Sequence, residues 1–300
     1  MNTDRDPTAT TYLGLFFVAL ATVMYEIVLT RIFSVTMWYH FAFVAISIAM
    51  FGMTVGAIIV YLRPAFFTQE RVSEHLALSA VLFAVSAVVS FFISLFVPFD
   101  GDMTVSGVAS TGVTYAIMAV PFVFSGVCVA LALTKFPRRV GKLYAADLIG
   151  AAMGCLWVIV TLNVTDGPTA VIVVGSLAGV AAALFGARAR PRLKQVTVTV
   201  ALVLAAFAAL HTVLVREQSP LIRLQWVKGR AEPRPLYEKW NSFSRLTVYG
   251  DPTRASAPAG WGLSAAFRPE RGVRSCHCSW TPAPAPSSPG LTATRPTSST

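Results

Sequence analysis

The sequence has 300 residues, of which 55% are apolar and only 13% are charged, with a formal net charge of +10. Its apolar residues come in blocks, several longer than the ~20 residues that cross a bilayer, which points to an all-α polytopic membrane protein with the lipid bilayer as its main partner. The positive balance does not indicate nucleic acid, because the basic residues sit mostly in short loops between the blocks and in the C-terminal tail.

In chain order, residues 1–10 are polar and expected to be disordered. The first apolar block is too long for the core of a signal peptide, contains Glu26 and lacks a small-x-small cleavage site, so it reads as a retained membrane anchor. About seven spans are expected, over 11–33, 39–62, 76–97, 112–134, 143–163, 168–187 and 194–215, each of a length that suits a helix rather than a barrel strand. Pro121 inside the fourth predicts a kink or a break.

The loops sort by charge. Arg63 and Arg71 follow span two, Lys135, Arg138, Arg139 and Lys142 follow span four, and Arg188, Arg190, Arg192 and Lys194 follow span six. Loops 98–111 and 164–167 hold Asp100, Asp102 and Asp166 and no base. The positive-inside rule then places the three basic loops and the N-terminus in the cytoplasm. An odd number of spans leaves the C-terminal region outside, in tension with its own arginines, although long tails cross largely regardless of charge.

Residues 216–274 read as a juxtamembrane segment and the incomplete start of a soluble domain. Within it, the alternation Ser244-Arg245-Leu246-Thr247-Val248-Tyr249 predicts a first β-strand. Residues 275–300 are dominated by Pro, Ser and Thr and show neither period. They read as a disordered tail or, the favoured reading, as a frameshift that replaces the true continuation.

Three Gly-x-x-x-Gly pairs, Gly52/Gly56, Gly150/Gly154 and Gly175/Gly179, predict close helix packing, within the chain or between copies in a homo-oligomer. A substrate path along these grooves is the alternative. Candidate ligand or ion-pair residues are Glu26, Arg31, His40 and Asp147, because an ionisable group in hydrocarbon is costly and usually faces protein. Glu26 and Arg31 are five apart and point in different directions, so Glu26 is expected to meet His40 or a neighbouring helix while Arg31 snorkels. Asp147 shares a face with Gly150, Ala151 and Gly154 near the cytoplasmic side, so Arg63, Arg139 or Lys142 are its nearest candidate partners. A polar site for a cationic ligand is the other reading.

Cys128 and Cys155 fall in apolar blocks, where a thiol usually acts as a small buried hydrophobe. Cys276-His277-Cys278 is too compressed for a zinc site, so no metal is expected. Neither a Walker A loop, a Gly-x-Ser-x-Gly elbow nor His-Glu-x-x-His occurs, and no catalytic residue is assigned.

Three motifs in order carry a resemblance. They are Tyr25-Glu26-Ile-Val-Leu-Thr-Arg31-Ile-Phe-Ser with His40 to Gly52, Leu143-Tyr-Ala-Ala-Asp147-Leu-Ile-Gly150-Ala-Ala-Met-Gly154, and Glu238-Lys-Trp240-Asn241-Ser242-Phe-Ser244-Arg245. Over residues 11–274 the chain resembles membrane-embedded spermidine synthase-like proteins, with Trp240, Asn241, Ser242 and Arg245 at the junction to the soluble part. The resemblance implies a multi-pass protein of the bacterial inner (plasma) membrane. It also implies a Rossmann-like aminopropyl- or methyltransferase domain using S-adenosylmethionine or its decarboxylated form. The glycine-rich loop and acid of that domain have no counterpart here, so no cofactor is expected in this chain. The expected function is that of the family's membrane module without catalysis; the alternative is a transporter or binding module for a small cationic or lipidic ligand.

Overall fold

The computed structural model describes residues 6–37, 42–97, 104–228, 230–249, 255–256, 273–274 and 277–280. Seven long helices dominate it: α1 (Ala9–Thr36), α2 (Ala42–Leu62), α3 (Val72–Phe96), α4 (Val105–Lys135), α5 (Val140–Val164), α6 (Gly167–Gly186) and α7 (Pro191–Arg216). Each is long and apolar enough to cross a membrane. They fall within a few residues of the expected spans, mostly extending them by a turn. Local chemistry sets several ends. Thr104 accepts from Gly107 N at 3.1 Å to start α4, and Asp166 caps α6 with Pro168 in its first turn. α4 continues through Pro121 without interruption, so the break that would have changed the number of spans does not occur.

α1 is the central helix, packed on α5 and α6 and also touching α2 and α4. α3 lies between α4 and α6, and α7 packs on the far side of α6. The close contacts are made by glycine. A Cβ on Gly150 would collide with the carbonyl of Phe16, and one on Gly154 would lie 2.6 Å from that of Leu20. On α2, Gly52 faces Phe122 and Ala119, and Gly56 faces the Val123 carbonyl. Gly126 of α4 returns the contact onto Met53. Gly175 meets α3 at Val88, and Gly179 meets α7 at Ala201. All six glycines of the three pairs are thus engaged within the chain, and a contact between copies through these faces would have to displace a helix. Buried polar bonds accompany this packing: Thr22 to Ser125 at 2.5 Å joins α1 to α4, and Tyr25 OH to Ser90 at 3.2 Å joins α1 to α3. Cys128 is buried as expected, whereas Cys155 is exposed on the outside of α5, because that helix buries only a narrow stripe against α1.

After α7 the chain forms short strands: β1 (Trp226–Val227), β2 (Arg230–Ala231), β3 (Tyr237–Trp240), β4 (Arg245–Tyr249), β5 (Ala255–Ser256), β6 (Val273–Arg274) and β7 (His277–Trp280). β3, β4 and β7 make an antiparallel sheet in that order, with Leu246 opposite both Lys239 and Trp280. β4 matches the expected strand, but it is the fourth in chain order and not the first. β7 lies in the stretch that shows no period in sequence; residues 281–300 lie outside the described residues. The segment sits at the end of the bundle away from the basic loops. Lys228 N donates to the last-turn carbonyl of α1, Thr36 O, at 2.6 Å, and the Trp240 ring lies against Gly167.

Gly150→Ala is expected to cost about 1–3 kcal/mol, because two backbones must separate to admit one methyl group. Gly112→Ala has open space around its Cβ and is expected to be neutral or stabilising by up to about 1 kcal/mol. Thermal unfolding of the two variants in one detergent measures the contrast.

Candidate functional site

The membrane residues singled out in the sequence do not converge. Parallel pairing of Phe16 with Gly150 and Leu20 with Gly154 sets Asp147 level with Leu13 of α1. Glu26 is therefore roughly 20 Å further along the bundle, from the helical rise. Asp147 is half-buried and has no hydrogen bond or ion pair among the described residues. The expected partnership with a loop base fails for a specific reason: Arg139 turns to Asp6 at 3.2 Å instead. Glu26 and Arg31 make no bond to each other. Arg31 Nε is buried without a partner among the described residues. His40 lies outside the described residues, as do Asp100, Asp102 and Cys276, so the expected Glu26–His40 contact has no description. No group of three metal-ligating side chains occurs among the described residues.

Polar side chains converge instead where the juxtamembrane segment meets α5, α6 and α7. α7 ends in a Schellman motif: Ser219 N donates to Leu214 O at 3.0 Å and Gln218 N to Val215 O at 3.1 Å. Gln218 takes the left-handed position, with φ of 56°, where glycine is usual. Its side chain explains the choice, because Gln218 Oε1 accepts from Glu238 N at 3.1 Å and anchors the start of β3.

Arg245 is the centre of this joint. Only 2% of its side chain is exposed, yet every part of the guanidinium is engaged. Nη1 and Nη2 donate to Glu232 Oε1 and Oε2, each at 2.8 Å, and Nε donates to Glu238 Oε1 at 2.8 Å. Trp240 Nε1 donates to the same Glu238 oxygen at 2.7 Å, and Tyr249 OH donates to Glu232. The guanidinium also lies 5.8 Å from the Trp240 ring centroid. Burial alone would lower the Arg245 pKa, but the bonds and charges of Glu238 and Glu232 outweigh it and raise it. Tyr249 is pushed up to about 12 by burial and by its bond to Glu232. Asn241 shapes the β3–β4 turn by accepting from Phe243 N at 2.8 Å and Ser244 N at 2.6 Å. Ser242 is half-buried with no side-chain bond. Among the junction residues, Trp240 therefore seats the hairpin on the bundle, while Asn241 and Arg245 brace the hairpin and the segment before it.

Beneath Trp240 runs a buried relay. Ile222 N–H donates to His211 Nε2 at 3.0 Å, which makes that nitrogen an acceptor. The neutral ring then carries its proton on Nδ1, 2.6 Å from Thr169 Oγ1, and Thr169 in turn donates to Asp166 Oδ1. Thr169 N also donates to Asp166 Oδ1, at 2.8 Å. Asp166 is pushed up to about 7, first by burial and in part by the nearby charge of Glu238, against the lowering effect of the Thr169 bonds. A cavity of about 320 Å³ opens beside it, with Asn163, Arg216, Tyr237, Lys239 and Trp240 in its walls. The sequence reading used Asp166 only for topology and passed over His211. The signal for Asp166 was present in Asp166-Gly-Pro-Thr169, a helix cap followed by a first-turn proline.

No family model matches this chain, and neither a curated protein nor a solved structure is similar to it.

Arg245→Met should cost about 3–5 kcal/mol, because it leaves two buried carboxylates without their cation. Arg245→Lys should recover little of this, lacking the two-pronged fork. Limited proteolysis is expected to cut residues 217–249 in both variants and leave the bundle intact. Asp166 gives a second test. Its folded value of about 7 lies above the usual unfolded value near 4, so folding retains a proton across that window. The contribution is complete below about pH 4 and is lost as pH rises to about 7, by at most about 4 kcal/mol. Asp166→Asn keeps the cap acceptor and should remove this falling limb, seen as the difference between two profiles of melting temperature against pH.

Proposed function

We propose that this chain is a multi-pass protein of the bacterial inner membrane that serves as the membrane module of a spermidine synthase-like protein, without transferase activity in this form. The observation that carries the proposal is the use of the junction motif. Trp240 seats on Gly167 and joins the sheet to the helices, while Arg245 clamps Glu232 and Glu238 and braces the segment that carries Trp240. Supporting it, seven apolar helices have their basic loops at one end and this sheet at the other. The positive-inside rule would put the sheet outside the cytoplasm.

The residues present do not fit S-adenosylmethionine or its decarboxylated form. The described strands are two to five residues long, and none leads into a glycine-rich turn and helix of the kind that cradles such a cofactor. The 320 Å³ cavity beside Asp166 favours a second reading, a membrane binding module for a small polar or lipidic ligand.

Fusions of the full chain at its C-terminus test the arrangement. Alkaline phosphatase is expected to be active and a cytosol-dependent fluorescent protein dark; the reverse pattern would overturn the topology. Purified chain should show no aminopropyl or methyl transfer, and robust turnover would refute the non-catalytic reading.

A further inference from the structure

The cavity beside Asp166 has a composition that the mount does not use. Asp166 is only 4% exposed, and both Thr169 donors fall on its Oδ1. Oδ2 has no partner among the described residues, although the carboxylate lines an open cavity. A carboxylate buried to this extent, with one oxygen open to the cavity, favours a cationic donor there. Glu238 also lines the cavity, with its charge paired to Arg245 and both donors on its Oε1. Arg216 and Lys239 line the same cavity and bring two cations to it, neither of them paired with Asp166. Tyr237 and Trp240 are also in its lining. The lining thus combines a carboxylate without a paired cation, two bases and aromatic residues.

We infer that this cavity binds a zwitterion with a primary ammonium joined by a short linker to a phosphate, the ammonium at Asp166 Oδ2 and the phosphate at Arg216 and Lys239. Phosphatidylethanolamine offers this chemistry as a lipid, and glycerophosphoethanolamine offers it free in water. The position favours the lipid. The cavity sits where α5 ends at Val164 and α7 ends at Arg216, which is the level of the bilayer surface if the helices span it. Below it the outer faces of both helices are bare and apolar: Val160 and Val164 on α5, Leu210 and Val213 on α7, are 44–55% exposed. Acyl chains would lie along those faces while the headgroup enters beneath β3. A quaternary ammonium has no N–H to donate to Asp166, so the site distinguishes ethanolamine from choline.

This inference rests on the membrane-spanning reading, and the two can fail separately. If the chain leaves the membrane fraction without detergent, the membrane reading fails. If it needs detergent but ignores the headgroup, only the lipid site fails. The experiment is native mass spectrometry of the full chain in detergent, with dioleoyl lipids carrying ethanolamine, choline or glycerol headgroups. The ethanolamine lipid should be retained about tenfold more tightly than the choline lipid, as one charge-assisted hydrogen bond would give. Asp166→Asn keeps the helix cap and should erase that preference. Arg216→Gln with Lys239→Gln alters only exposed side chains and should weaken the ethanolamine and glycerol lipids alike. Competition by millimolar glycerophosphoethanolamine identifies the free headgroup as sufficient; absence of competition identifies the lipid as the ligand. Equal retention of ethanolamine and choline lipids, or an unchanged preference in Asp166→Asn, would overturn the proposal.

Discussion

Lipid tails are as apolar as leucine, so helices inside a bilayer gain little from burying apolar surface against each other. What they gain must come from close packing, and here that means glycine placed against a neighbouring backbone. Gly150 and Gly154 bring α5 onto α1 at Phe16 and Leu20, while Gly52, Gly56 and Gly126 bring α2 onto α4. Gly175 and Gly179 hold α6 between α3 and α7. Once the backbones approach this closely, short polar side chains can reach across, as Thr22 and Ser125 do. The same register decides which helix ends lie side by side. It brings the α5–α6 turn next to the last turns of α7, so that His211 meets Thr169 and Asp166 from 42 residues beyond Thr169.

The sheet is attached by different physics. Its contact with the bundle is small, and apolar burial alone would give it little to hold its orientation. Trp240 on Gly167, Gln218 on Glu238 and Lys228 on Thr36 make that contact, and Arg245 braces the segment that carries them. Removing a guanidinium and two carboxylates from water is costly, and the cost is offset only when all the bonds form together. A hairpin shifted from the preceding segment would lose Glu232, while Glu238 and the Trp240 ring move with Arg245. The arrangement therefore selects one position more than it adds stability. Gln218 acts in the same direction from the α7 side, accepting backbone strain so that its amide can take the place of a strand partner for Glu238.

Most of the helical architecture was legible in the sequence, because twenty-residue apolar blocks leave few alternatives and small residues four apart signal close packing. Gly126 was missed because it has no glycine four residues away; its partner is across the interface, at Met53. Asp147 was assigned a loop base by closeness along the chain. The side of a helix decides such pairs, and Asp6 reached Arg139 from the N-terminus instead. The strand at Arg245–Tyr249 was visible from its alternation. Its function as a clamp was not, since Glu232 is reached only through the folded hairpin, 13 residues away. His211 was hidden by its apolar surroundings, and only the bonds of Thr169 Oγ1 and Ile222 N–H to its two ring nitrogens give it a role.

The conflict between basic residues in the C-terminal segment and its place opposite the basic loops has a structural resolution. Positive-inside bias acts through short loops near the helix ends, and three of these at one end carry the arginines and lysines. The segment after α7 touches the bundle at Thr36 and at Gly167. Thr36 ends the first helix, and Gly167 opens the sixth directly after the end of the fifth. Each of these ends is separated from the basic loops by the full length of a helix. Moving the segment to the other end would require one helix to be withdrawn from the bundle, and each is fixed there by a glycine contact or a buried polar bond. Its own charge is also less free than the sequence suggests, since Arg245 is neutralised inside the joint by Glu232 and Glu238. Packing therefore fixes the end of the bundle on which the sheet sits.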